Sequence, residues 1–95
     1  MRLALYSSVS RSDAPNLVSI QDERLDFLPT VLVCPFRRGA ELTDFRVEAP
    51  WHDSTFIACP DLTRPIRRTG LRLMGHLDET SSQAIVSTLQ HLLAR

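Results

Sequence analysis

Apolar residues recur along this chain with two different periods. Through the first three-quarters they come in short runs separated by Ser, Arg, Asp, Pro and Gly, the punctuation of strands and turns. The pattern predicts strands over Leu3–Ser7, Asn16–Gln21, Thr30–Phe36, Phe45–Ala49, Ser54–Cys59, Leu62–Ile66 and Leu71–Leu77. Thr30–Phe36 is β-branched and continuously apolar, so it is expected at the centre of the sheet. In Phe45–Ala49, Phe45, Val47 and Ala49 alternate with Arg46 and Glu48, the mark of a half-buried strand. Ser8–Pro15, Pro50–Asp53 and Arg67–Gly70 read as turns. Asp22–Pro29 reads as a polar connection with a short edge element.

After Leu77 the period changes. Ala84, Ile85, Thr88, Leu89, Leu92 and Leu93 fall on one face of a helix, with Ser82, Ser87 and Gln90 off it. Thr80-Ser81-Ser82-Gln83 matches a capping box, with Thr80 as N-cap, and Asp78 and Glu79 bring negative charge to the positive end of the helix dipole. Five to seven short strands followed by one terminal helix predict a mainly β, α+β domain: a small barrel closed by a helix, spanning residues 1–95 as one unit.

Length and charge narrow the classes. At 95 residues the chain is too short for separate binding and catalytic lobes. Its 11 basic and 11 acidic residues balance, which argues against a globally cationic nucleic-acid coat and leaves only a local patch; no direct sequence-specific DNA binding is expected. Every basic residue is Arg, read as codon bias with planar phosphate pairing as the alternative. The longest uncharged apolar stretch, Leu28–Phe36, is too short to span a membrane, and the N-terminus lacks a signal-peptide pattern, so a cytoplasmic protein is expected. Cys34 and Cys59 each sit in an apolar run and read as buried thiols.

Several constellations invite chemistry. Residues 62–76 hold Arg64, Arg67, Arg68 and Arg72 and no acid, either a grip for phosphates or carboxylates or a solvated strand edge. Arg37 and Arg38 follow the central strand and read as an anion site or as charge closing the strand. Trp51-His52-Asp53 suggests a general base oriented by a carboxylate, but neighbours on an extended chain point to opposite faces. A Cys34 nucleophile conflicts with the burial its strand demands. His76 and His91 are too isolated for a metal site; no metal or other cofactor is expected.

Tyr6 closing the first strand, Leu17-Val18-Ser19-Ile20-Gln21-Asp22, Leu25-Asp26 and Thr30-Val31-Leu32-Val33-Cys34-Pro35-Phe36 together resemble the CcdB toxin family. Thr55–Pro60 and Leu73–Leu77, running into the terminal amphipathic helix, look like the wider CcdB/MazF superfamily. Gln21–Pro35 is the most specific block, and Arg37–Asp53 matches poorly. The resemblance implies an SH3-like barrel with a C-terminal helix, a homodimer, and the toxin of a bacterial type II toxin–antitoxin pair. Its antitoxin would carry a disordered tail that the arginines could meet.

CcdB poisons DNA gyrase, whereas MazF relatives cut single-stranded RNA. The N-terminal block matches the gyrase-inhibitor branch, so the resemblance implies a non-enzymatic toxin that binds a gyrase subunit through its helix end: Gln90, Leu93, Ala94 and Arg95. CcdB ends in Trp-Gly-Ile, and this chain ends Leu92-Leu93-Ala94-Arg95, without the stacking ring. The RNA-cutting branch places an Arg before the Pro that opens the second strand and Thr or Ser after the central strand. Here Ala14 precedes Pro15, and Arg37 follows Pro35-Phe36. The alternatives are a MazF-like endoribonuclease using relocated residues such as Arg11 and Arg37, or a barrel that has lost toxicity and only binds a partner.

Overall fold

The computed structural model describes residues 1–93. Seven strands and one α-helix are arranged as expected for a mainly β, SH3-like fold: β1 (Ala4–Ser7), β2 (Leu17–Ser19), β3 (Thr30–Arg37), β4 (Val47–Trp51), β5 (Ser54–Ala58), β6 (Arg64–Arg67), β7 (Arg72–His76) and α1 (Glu79–Leu93). The sheet is antiparallel and runs β4-β5-β3-β2-β1-β7, with β6 also paired to β3. It curls into a half-barrel against the helix.

β3 is the spine, and one residue explains its long, shared edge. One side pairs with β2, Val18 opposite Cys34. The other pairs first with β6, Val33 opposite Arg64, and then with β5, Phe36 opposite Ala58. Pro35 sits between these two partners. Its carbonyl accepts from the Cys59 N–H at 2.9 Å, and its missing N–H falls where the partner changes.

The pleat sends alternate residues of β3 into two cores. Cys34 and Phe36 join Leu3, Leu5, Val18, Ala49, Phe56, Leu77 and Ile85 beneath the helix. Val31 and Val33 join Leu17 on the other face, flanked by Tyr6, Ile66 and Leu71. Phe36 and Phe56 stack with centroids 4.5 Å apart. Burying each such ring contributes about 2–3 kcal/mol.

Three element boundaries depart from the sequence reading. The helix starts earlier than a Thr80 cap implies: Asp78 is the N-cap, its carboxylate accepting from the Ser81 N–H at 3.0 Å. Ser82, expected off the packed face, is buried, and its Oγ accepts from the Leu3 N–H at 3.0 Å. The fourth strand runs through Pro50 and Trp51 because β4 is an edge strand, where proline costs no ladder bond. The edge element expected within Asp22–Pro29 is a 3₁₀ turn at Glu23–Leu25, capped by Asp22.

Candidate functional site

The registers bring four chain segments to one end of the sheet. Ser7 ends β1, Leu17 begins β2, Arg37 ends β3 and Arg72 begins β7. The β4–β5 hairpin continues past Arg37, since Ile57 lies opposite Arg37 and Ser54 farther along, and folds back over the helix-side core so that Trp51 reaches Gly75 of β7. The loop joining β1 to β2 carries Arg11, and the hairpin tip carries His52.

The β1–β2 loop is stitched by its own polar groups, since Val9 is exposed and only Ala14 of its apolar residues packs on the helix-side core. Ser8 N–H donates to Asn16 Oδ1 at 3.0 Å, and Asn16 Nδ2 donates to Ser8 Oγ at 2.8 Å. Ser12 Oγ donates to the Ala14 carbonyl at 2.9 Å and accepts from the Ala14 N–H. Arg72 reaches from β7 to donate to the Ser12 carbonyl. This network holds Arg11 at φ +64, a left-handed conformation costing roughly 1–2 kcal/mol for a residue with a Cβ. Strain of this kind concentrates at functional sites. The exposed Arg11 guanidinium is therefore carried on a loop with defined contacts, at the end of the sheet that also presents Arg37.

The two arginine groups read as possible anion or antitoxin contacts lie on different elements. Arg37 and Arg38 close β3, whereas Arg64 lies opposite Val33 and Arg67 opposite Thr30 at the start of β3. The turn that joins β6 to β7, with the Leu71 N–H donating to the Arg68 carbonyl at 3.2 Å, keeps Arg72 beside Arg67 and Arg68. Arg68 donates to the Leu28 carbonyl at 3.0 Å and lies 3.9 Å from Asp26, so it ties down the loop before β3. Arg38 stands 5.1 Å over the Phe56 ring, a cation–π contact. Arg46, which the sequence reading passed over, spans Asp61 with two bonds of 3.2 Å and reaches the Glu41 carbonyl. Arg38, Arg46, Arg68 and Arg72 are thus engaged with the protein itself. Arg11, Arg37, Arg64 and Arg67 are exposed.

Trp51, His52 and Asp53 do not form an acid–base pair. β4 and β5 turn over His52-Asp53, and His52 adopts φ +52. That turn folds the His52 ring onto Trp51, with centroids 3.8 Å apart and planes within 17°. His52 can turn its ring back onto its neighbour because it has left the strand. Trp51 in turn meets Phe56 edge-on at 6.2 Å and packs on the helix-side core. Its indole nitrogen comes close to Gly75, at φ +146 beside the register shift in the β1–β7 pair; a Cβ built on Gly75 would meet it at 3.9 Å. The sequence signal for this stack was an aromatic pair at a two-residue hairpin turn.

The helix-end residues lie apart from these groups. Gln90 and Leu93 are exposed on α1, Leu93 by 74%, while Ala94 and Arg95 lie outside the described residues. Cys34 and Cys59 are free and fully buried, as expected. Burial pushes the Cys34 thiol up to about 12 and raises that of Cys59, so neither is a ready nucleophile. Among the described residues no three His, Cys, Asp or Glu side chains converge as metal ligands would, and no helix is long and apolar enough to cross a membrane.

No protein-family model matches the chain, and no curated protein matches it in sequence. Solved structures match it in fold. A MazE–MazF complex from Deinococcus radiodurans superposes with a TM-score of 0.73 at 13% identity, covering 98% of this chain and 90% of that one. The Mycobacterium tuberculosis toxin MazF-mt6 superposes with a TM-score of 0.73 at 15% identity, covering 98% and 96%. MazF from D. radiodurans alone gives 0.72 at 14% identity, covering 99% and 94%. The shared fold is thus the one these MazF toxins have, and nothing in it singles out CcdB. The expectation of a non-enzymatic toxin is corrected accordingly, since the fold neighbours are MazF toxins, the branch whose resemblance implies RNA cleavage.

Proposed function

We propose that this chain is the toxin of a bacterial type II toxin–antitoxin pair and acts in the cytoplasm as an endoribonuclease on single-stranded RNA. The observation that carries the reading is the joint placement of the strained Arg11 loop and Arg37 at one end of the barrel, in a fold matching MazF toxins over nearly the full length of both chains.

Phosphodiester cleavage builds negative charge on the phosphorane. Preorganised guanidinium groups stabilise that charge without reorganising at the moment of reaction. Arg11 and Arg37 stand as the groups that meet the scissile phosphate, replacing the Arg and the Thr or Ser that this chain lacks at Ala14 and Arg37. The Ser8–Asn16 and Arg72–Ser12 contacts position Arg11. The MazE–MazF neighbours support an antitoxin as partner, and a homodimer accords with the thin core of a domain this small.

The test is an Arg11→Ala, Arg37→Ala double variant assayed on single-stranded RNA beside the parent. Loss of one such stabilising donor lowers kcat by about 10²–10³, so cleavage should fall at least that far while the melting curve is retained. Unchanged cleavage by the folded variant would remove this site assignment.

A further inference from the structure

The ring stack at the tip of the β4–β5 hairpin has no part in the proposed chemistry and more order than a turn needs. A turn of this kind is most cheaply made by Gly, Asn or Asp at the left-handed position. His52 occupies it instead, at φ +52, and lays its ring on Trp51 at 3.8 Å. Trp51 is fixed from behind by Phe56 and the helix-side core. His52 itself is exposed, so one face of its ring is against Trp51 and the other faces outward. Phe56, which meets Trp51 edge-on, also carries Arg38 5.1 Å over its ring, so a guanidinium next in the chain to Arg37 stands at the same aromatic cluster.

We infer that the hairpin tip is a nucleobase subsite, in which an unpaired base of the RNA strand stacks on the outward face of His52 supported by Trp51. The inference rests on the ribonuclease reading for the nature of the strand. A flat π-surface backed by a second ring is the surface that single-stranded nucleic acid uses, and every base offers a face to it. Phosphate is the poorer occupant, because Asp53 puts a carboxylate at the same turn. The arginines would hold the backbone while the ring stack takes a base from a neighbouring nucleotide.

The experiment measures binding of a labelled, 2′-O-methylated single-stranded RNA by anisotropy, so that cleavage cannot intervene. His52→Asn removes the ring while keeping a residue that tolerates the left-handed backbone; His52→Phe keeps a ring. Base–aromatic stacking is worth about five- to 150-fold in affinity per base. Binding should weaken within that range in His52→Asn and recover in His52→Phe. Replacing the bases of the strand by abasic sites should cost the parent far more than it costs His52→Asn. The chain has three histidines, so the His52 ring-proton signals can be followed separately, and RNA should move them upfield. Equal affinity of parent and His52→Asn, or no shift of those signals, overturns the subsite. Cleavage of unmodified RNA is scored in parallel: RNA cut by the parent with no His52 effect sinks the stacking site alone, whereas RNA neither cut nor bound sinks the ribonuclease reading with it.

Discussion

Ser82→Ala separates the packing seen here from the simple periodicity of the helix. By periodicity Ser82 lies off the apolar face, and Ala is the better helix former by about 0.5 kcal/mol, so the change should stabilise. The structure reverses the sign. Ser82 is 1% exposed, and its Oγ receives the N–H of Leu3, a buried residue just before β1. Removing the acceptor strands a buried backbone donor between helix and sheet, at about 1–3 kcal/mol. After the gain in helix propensity, the net loss is about 0.5–2.5 kcal/mol. At about 4–8 °C per kcal/mol for a domain of this size, Tm should fall by roughly 2–20 °C. Urea and thermal unfolding followed by circular dichroism, at one fixed protein concentration, measure it. Ser87→Ala, on the exposed face of the same helix, should be neutral or slightly stabilising. A Ser82→Ala protein as stable as the parent would refute the reasoning, and so would a loss of the same size in Ser87→Ala.

Two further outcomes follow from groups whose ionisation the fold perturbs. Asp78 caps the helix, and hydrogen bonding from the Ser81 hydroxyl and then from the Ser81 N–H holds its carboxyl below the usual carboxylate range; Asp78→Ala should cost about 1 kcal/mol at neutral pH. A depressed folded pKa means this contribution is fully present above the ordinary carboxylate pKa and is lost as pH falls below it and through the lower folded pKa, so the stability gap should close in acid and a gap independent of pH would contradict it. Cys34, pushed up to about 12, and buried Cys59 should resist iodoacetamide in the native protein at mildly alkaline pH and react in denaturing urea; rapid native labelling counted by mass spectrometry would contradict their burial.

What could be read from the sequence was whatever depends on local pattern. The continuous apolar run of β3, the terminal helix and the burial of both cysteines are all statements about which residues avoid water. What escaped depends on pairing. Arg37 and Arg67 are both exposed arginines, yet Arg67 pairs with Thr30 at the start of β3 and Arg37 closes its far end, while the turn bonded from Leu71 to Arg68 keeps Arg72 beside Arg67 and Arg68. Pro50 looked like a strand breaker and is harmless because β4 is an edge, a property of strand order alone. His52 left the alternation of its strand through one positive φ and formed a ring stack with Trp51. Arg11 was visible as a loop residue, but the Ser, Asn and Arg72 bonds that fix its loop join positions as far apart as residues 12 and 72.

The resemblance to CcdB rested on a block that builds β2 and β3, part of the scaffold this chain shares with the solved MazF structures. Scaffold residues report the fold, and activity depends on what the loops carry at the end of the sheet. That is why the fold could be read from this block and the choice of target could not.

The most direct test incubates the purified protein with single-stranded RNA, and separately with gyrase, ATP and supercoiled plasmid. Discrete RNA fragments, with no linear plasmid after denaturation and protease, are the predicted result. Intact RNA together with linear plasmid would contradict the account and return the chain to the gyrase-poisoning branch.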